Sequence, residues 1–163
     1  AKGAVETLRG IGLTPGAWYA VVRGKPADSR QPYLLELVTH EVRGTEREPN
    51  DDPGKKDLIR LEPNQSASGW LHPAGDVDCW VFERPQSQGS GIMTFQLDPP
   101  KGARLDISVL DASGQEVTGR KGLTAAQPGT FTHFLPAGRY TVRISASDPD
   151  ATSADAYALR LLD

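Results

Sequence analysis

Pro136-Ala137-Gly138-Arg139-Tyr140-Thr141-Val142-Arg143-Ile144 reads as a turn followed by a strand. Pro and Gly bend the chain. Beyond them Tyr140, Val142 and Ile144 share one side of an extended backbone, while Thr141 and Arg143 take the other. The same two-residue period recurs in both directions. Tyr157, Leu159 and Leu161 alternate downstream; Leu105, Ile107 and Val109, then Met93, Phe95 and Leu97, alternate upstream. Phe131 to Leu135 forms another run, and Trp80 shares a face with Phe82. Turn chemistry separates the runs at His72-Pro73-Ala74-Gly75, Asp98-Pro99-Pro100 and the hairpin-like Asp111-Ala112-Ser113-Gly114. With 17 Gly and 13 Pro punctuating short alternating runs, and no helical stripe, the chain reads as all-β, a sandwich or barrel.

Other stretches are less regular. Residues 5–13 make a weak strand candidate, and Leu58 to Leu61 a short run that pairs at an edge. Ser66 to Leu71 reads as a strand, residues 119–129 as a loose Gly- and Ala-bearing loop, and Ser145 to Asp155 as a polar loop.

An internal repeat sets the domain organisation. Gly16-Ala17-Trp18-Tyr19-Ala20-Val21-Val22 aligns with Gly138-Arg139-Tyr140-Thr141-Val142-Arg143-Ile144 at an offset of 122 residues. Tyr33-Leu34-Leu35-Glu36-Leu37 aligns with Tyr157-Ala158-Leu159-Arg160-Leu161 at an offset of 124. Matching turns precede matching apolar faces, and a polar loop divides each pair. Residues 1–40 are therefore read as the closing strands of an upstream copy, residues 41–56 as an acidic linker, and residues 46–163 as a complete copy. Two or three strands are too few to fold alone. Residues 1–40 pack on the complete sandwich, extend one of its sheets, or complete a sandwich with upstream residues; left uncovered, the face of Trp18, Val22, Leu35 and Leu37 predicts docking within the molecule or self-association through residues 1–40.

The junction is Thr45-Glu46-Arg47-Glu48-Pro49-Asn50-Asp51-Asp52-Pro53. Glu46, Glu48 and Asn50 alternate, so an extended backbone aims all three the same way, and Pro49 favours that geometry at Glu48. Oxygen donors in this arrangement form half a shell for a hard cation such as calcium, which takes six to eight of them. An acidic, Pro-bearing stretch also suits a plain solvated linker.

Composition narrows the function. Eighteen basic and 21 acidic residues give a net charge of −3, with no basic face for nucleic acid. No apolar run approaches the roughly 20 residues that span a bilayer, so no membrane insertion is expected. The lone Cys79 excludes an internal disulfide and a cysteine zinc site. A start at Ala1, with no signal-like stretch, reads as a mature or excised segment of something longer.

Residues 46–163 resemble the bacterial pre-peptidase C-terminal domain family, whose relatives include the collagen-binding domains of clostridial collagenases. The resemblance rests on Glu48-Pro49-Asn50-Asp51, Gly75-Asp76-Val77-Asp78 before an aromatic strand, and Asp111-Ala112-Ser113-Gly114 at a hairpin. Pro136-Ala137-Gly138 with its following strand, and Tyr157-Ala158-Leu159, complete it in order. It implies a jelly-roll-like antiparallel β-sandwich, appended to secreted bacterial enzymes and not itself catalytic. In the collagen-binding relatives, a Glu-x-Glu-x-Asn-Asp run and a downstream aspartate pair hold calcium. That pattern is similar to Glu46, Glu48, Asn50 and Asp51, with Asp76 and Asp78 downstream. The sequence departs from the family at Cys79-Trp80, where Trp-Tyr is more usual.

Other chemistry is weaker. His40, His72 and His133 lie on separate elements, and no Gly-x-Ser-x-Gly elbow accompanies them. Asp76 and Asp78 alternate and can be read as paired carboxylates for glycoside hydrolysis, but strand-entry aspartates more often tie down a turn or a cation. Cys79 has no basic neighbour in sequence and reads as a buried thiol. Trp80 reads as core, and the orientation of Trp70 is open. With the resemblance, the expectation is a non-enzymatic accessory module of a secreted or cell-surface bacterial protein, calcium-stabilised, for targeting, secretion, or binding extracellular matrix protein or polysaccharide. A structural spacer repeat of an adhesin is the alternative.

Overall fold

The computed structural model describes residues 16–23, 33–38, 44–153 and 155–163. Eight strands follow in order: β1 (Ser66–Gly69), β2 (Val77–Arg84), β3 (Gly91–Asp98), β4 (Arg104–Leu110), β5 (Glu116–Thr124), β6 (Gly129–Leu135), β7 (Gly138–Ala146) and β8 (Tyr157–Leu162). They form two four-stranded antiparallel sheets, ordered β1-β8-β3-β6 and β2-β7-β4-β5. Every connection except the β4–β5 hairpin crosses from one sheet to the other. This is the jelly-roll arrangement of a β-sandwich. No helix among the described residues is long and apolar enough to cross a membrane.

The alternating runs supply the two inner faces. Phe95, Leu97, Val109, Val142, Ile144, Leu159 and Leu161 are completely buried between the sheets. Each such side chain stabilises the fold by about 1.5–3 kcal/mol relative to exposure. Phe82 stacks on Tyr140 with ring centroids 5.3 Å apart and meets Phe95 edge-on at 5.8 Å. The Tyr140 hydroxyl donates to the Pro136 carbonyl at 2.9 Å, fastening the turn to the strand it introduces. Trp80 of β2 donates its indole N–H across the sandwich to the Tyr157 hydroxyl of β8 at 2.9 Å.

Strand β2 is buried on both faces. Its inner side carries Trp80 and Phe82; Leu58, Cys79 and Val81 pack together on the outer side. Residues 58–61 run along the open edge of β2, as the sequence suggests. Leu61 donates to the Val81 carbonyl at 2.7 Å, and Val81 to that of Ile59 at 3.0 Å. Residues 44–46 run similarly beside β1, where Glu46 donates to the Ser68 carbonyl at 3.0 Å and Ser68 to that of Gly44 at 2.8 Å. The acidic stretch is thus bonded along one edge of the sandwich.

One expectation fails. Residues 119–129 are not a loose loop, because β5 continues to Thr124 and pairs with β4. Two register shifts interrupt that pairing, as is common on edge strands. Gly119 and Gly122 are structural, since a Cβ at 119 would stand 2.6 Å from the Ile107 carbonyl oxygen and φ is +70° at 122.

The strands expected over Ala17 to Arg23 and Tyr33 to Leu37 carry no strand assignment, and their described residues are exposed. The strand candidate at 5–13 and His40 lie outside the described residues.

Candidate metal centre

The stretch beside β1 and the entry to β2 place the six candidate ligands in one region. Glu46 accepts the Trp70 backbone N–H at 2.7 Å through Oε1. Glu48 accepts the Asn50 N–H at 3.2 Å through Oε2. Buried Asn50 donates its side-chain amide to Oδ1 of Asp78 at 3.2 Å, and its carbonyl accepts the Cys79 N–H at 3.2 Å. These bonds tie residues 46–50 to the start of β2. Asp76 accepts the His72 N–H at 2.6 Å and the Val77 N–H at 2.9 Å, which shapes the His72–Gly75 turn around it.

The ligand atoms of Glu46, Glu48 and Asp78 all lie within 4.8 Å of one another, as do those of Glu48, Asp51 and Asp76. Glu48 belongs to both groups. Asp51 is exposed; Asp78 is completely buried. Among the described residues, four buried oxygens have no hydrogen-bond partner: Glu46 Oε2, Glu48 Oε1, Asn50 Oδ1 and Asp78 Oδ2. Buried polar atoms left in this state are costly and rare.

The electrostatics express the same crowding. Burial, with the adjacent Asp78 carboxyl and its charge, pushes the Glu46 carboxyl up to about 10. Glu48 rises to about 7 through burial and the charges of Asp78 and Asp51. Asp76 rises to about 7 through burial and the charge of Asp78. Burial also raises Asp78, against the lowering influence of the neighbouring Glu46 and Tyr157 side chains and of the hydrogen bond from Asn50. Ionised carboxylates only accept hydrogen bonds, so Glu46 and Asp78 side by side repel each other unless one of them holds a proton. A cation would remove that requirement.

The donor set is hard oxygen, which suits calcium or magnesium and not thiolate-seeking metals. Cys79 is set apart from it: its sulfur faces the Asp51 carbonyl at 3.6 Å, and burial pushes the thiol up to about 12. Asp76 and Asp78, the pair readable as glycosidase carboxylates, are engaged with backbone amides and with Asn50 respectively.

Two neighbours of the site escaped the sequence reading. Tyr157, read as a strand and repeat position, places its hydroxyl against Asp78, and burial raises its pKa well above the usual value. Gly69 lies where a Cβ would overlap both Glu46 Oε2 and the Tyr157 hydroxyl. A glycine inside a strand pattern is itself a signal of close approach.

The eight-stranded jelly roll is a β-sandwich whose likeness is to the fold of the pre-peptidase C-terminal domain. The chain is similar in structure to that domain of a collagenase from Bacillus anthracis, with a TM-score of 0.54 and 12% sequence identity, over 66% of this chain and 96% of the other. A CBM35 from Cellvibrio japonicus Abf62 aligns at a TM-score of 0.39 and 18% identity, over 61% of this chain and 79% of the other, and carries no further weight. No protein-family model matches the chain, and no curated protein does.

Proposed function

We propose that this sandwich is a non-catalytic accessory module of a secreted bacterial protein and that Glu46, Glu48, Asn50, Asp51, Asp76 and Asp78 hold calcium. The carrying observation is the set of four buried oxygens without partners in a cluster of carboxylates. Calcium fits better than magnesium, because it accepts many protein oxygens in flexible geometry while magnesium retains several waters. Bound there, it would neutralise the cluster and clamp residues 44–53 to the entry of β2. The acidic stretch would then be a hinge, stiff with calcium and loose without it. The role of the module is targeting, secretion support, or attachment to matrix protein or polysaccharide. The internal repeat favours a second reading, in which calcium sets the stiffness of a spacer array in a cell-surface protein.

The deciding experiment is a thermal melt in calcium and in chelator, with Glu46→Ala/Glu48→Ala as the control. Ligand linkage at a hundredfold excess over Kd contributes about 2.7 kcal/mol, which raises Tm by several degrees. That rise should vanish in the variant. An unchanged Tm would return the stretch to an ordinary linker. Retention on insoluble collagen or polysaccharide separates the binding module from the spacer.

A further inference from the structure

The residues that code for the two central strands occur twice, and their environments are opposite. In β7, Tyr140, Val142 and Ile144 are at most 6% exposed; in β8, Tyr157, Leu159 and Leu161 are at most 2% exposed. Their counterparts upstream are solvent-facing: Trp18 is 57% exposed, Val22 52%, Tyr33 73%, Leu35 57% and Leu37 81%.

The topology says what such segments require. β7 lies between β2 and β4, and β8 between β1 and β3, in opposite sheets. A β7-like and a β8-like segment therefore cannot pair with each other as a hairpin. Each needs a neighbour on both sides and an apolar layer beneath. A second copy of this chain does not supply these, because its sandwich already holds its own β7 and β8. Only a set of strands of the β1-to-β6 kind does.

We propose that residues 17–22 and 33–38 are the seventh and eighth strands of a second sandwich of the same fold, completed by six strands from the polypeptide preceding Ala1. The order of parts, closing strands then acidic stretch then β1, is that of a tandem array. At the observed offset of 122 residues, that sandwich would begin about eighty residues ahead of Ala1. The inference is independent of any metal.

The test is hydrogen exchange on residues 1–163 and on the natural polypeptide extended upstream by about one domain length, on the order of 100 residues. In the extended chain, amides of 17–22 and 33–38 should become as protected as those of β7 and β8, and a second melting transition should appear. Val22→Asp or Leu35→Asp should abolish the added transition and leave that of β1–β8 in place. In residues 1–163 alone, both segments should exchange at unprotected rates in a monomer. Protection in residues 1–163 alone would overturn the proposal, by self-association if dimeric and by internal docking if monomeric. So would unprotected segments in the extended chain, or an upstream sequence lacking six alternating apolar runs.

Discussion

Glu46 and Gly69 occupy one space: the carboxylate of the first lies where any side chain at the second would begin. Oε1 of Glu46 takes the N–H of Trp70, the residue after that glycine, and Oε2 is left buried without a partner. The absence of a Cβ at position 69 is therefore a condition for the acidic cluster.

Gly69→Ala is expected to push Glu46 and the Tyr157 hydroxyl aside. Overpacking of this kind costs about 1–3 kcal/mol. If Glu46 holds calcium as proposed, the added methyl should also shrink the rise in Tm that calcium brings, because Glu46 would be displaced. Paired melts with calcium and chelator would show both effects; an unchanged calcium response would detach Glu46 from the site.

Stability without metal should fall as pH rises. Glu48 and Asp76 go from ordinary values of 4.5 and 3.8 to about 7 in the fold, and Glu46 from 4.5 to about 10. A raised carboxyl binds its proton more tightly in the folded state, so its stabilisation is complete at acid pH. It is lost as pH climbs through the folded values. In chelator, Tm should decline from about pH 4 to 7 and further towards 10. Calcium should flatten or reverse the slope, since ligands must deprotonate to bind it. A metal-free Tm that climbed over this range would contradict the crowding.

Tyr157→Phe removes the acceptor of the Trp80 indole N–H and the hydroxyl beside Asp78. A buried donor left unmade costs about 1–3 kcal/mol. Denaturant titration should show a lower midpoint with an unchanged slope. A midpoint equal to the parent would mean the indole finds another acceptor.

Gly119→Ala should destabilise the β4–β5 edge by about 1–3 kcal/mol, because the atom it approaches is backbone and cannot rotate away. Faster exchange confined to β5 would be the local signature, against unaltered protection in β7.

Most of the fold is legible in apolar alternation, since a strand with one inner face writes its period directly: Met93-Phe95-Leu97 and Leu105-Ile107-Val109 are both buried triplets. Strand β5 escaped because its two structural glycines and bulged register erase that period. The two acidic stretches could be paired only through the family resemblance. The Asn50–Asp78 hydrogen bond joining them spans 28 residues, and no local pattern encodes it. Tyr157 belongs to the core by sequence and to the acidic site by its hydroxyl, and only the tertiary structure reveals the second membership.

The placement of β7 and β8 also has a consequence in time. Until Gly138–Ala146 and Tyr157–Leu162 leave the ribosome, β2 has no link to β4 and β1 none to β3. Neither sheet can close from the earlier strands alone, so the sandwich takes shape only once its seventh and eighth strands have been made.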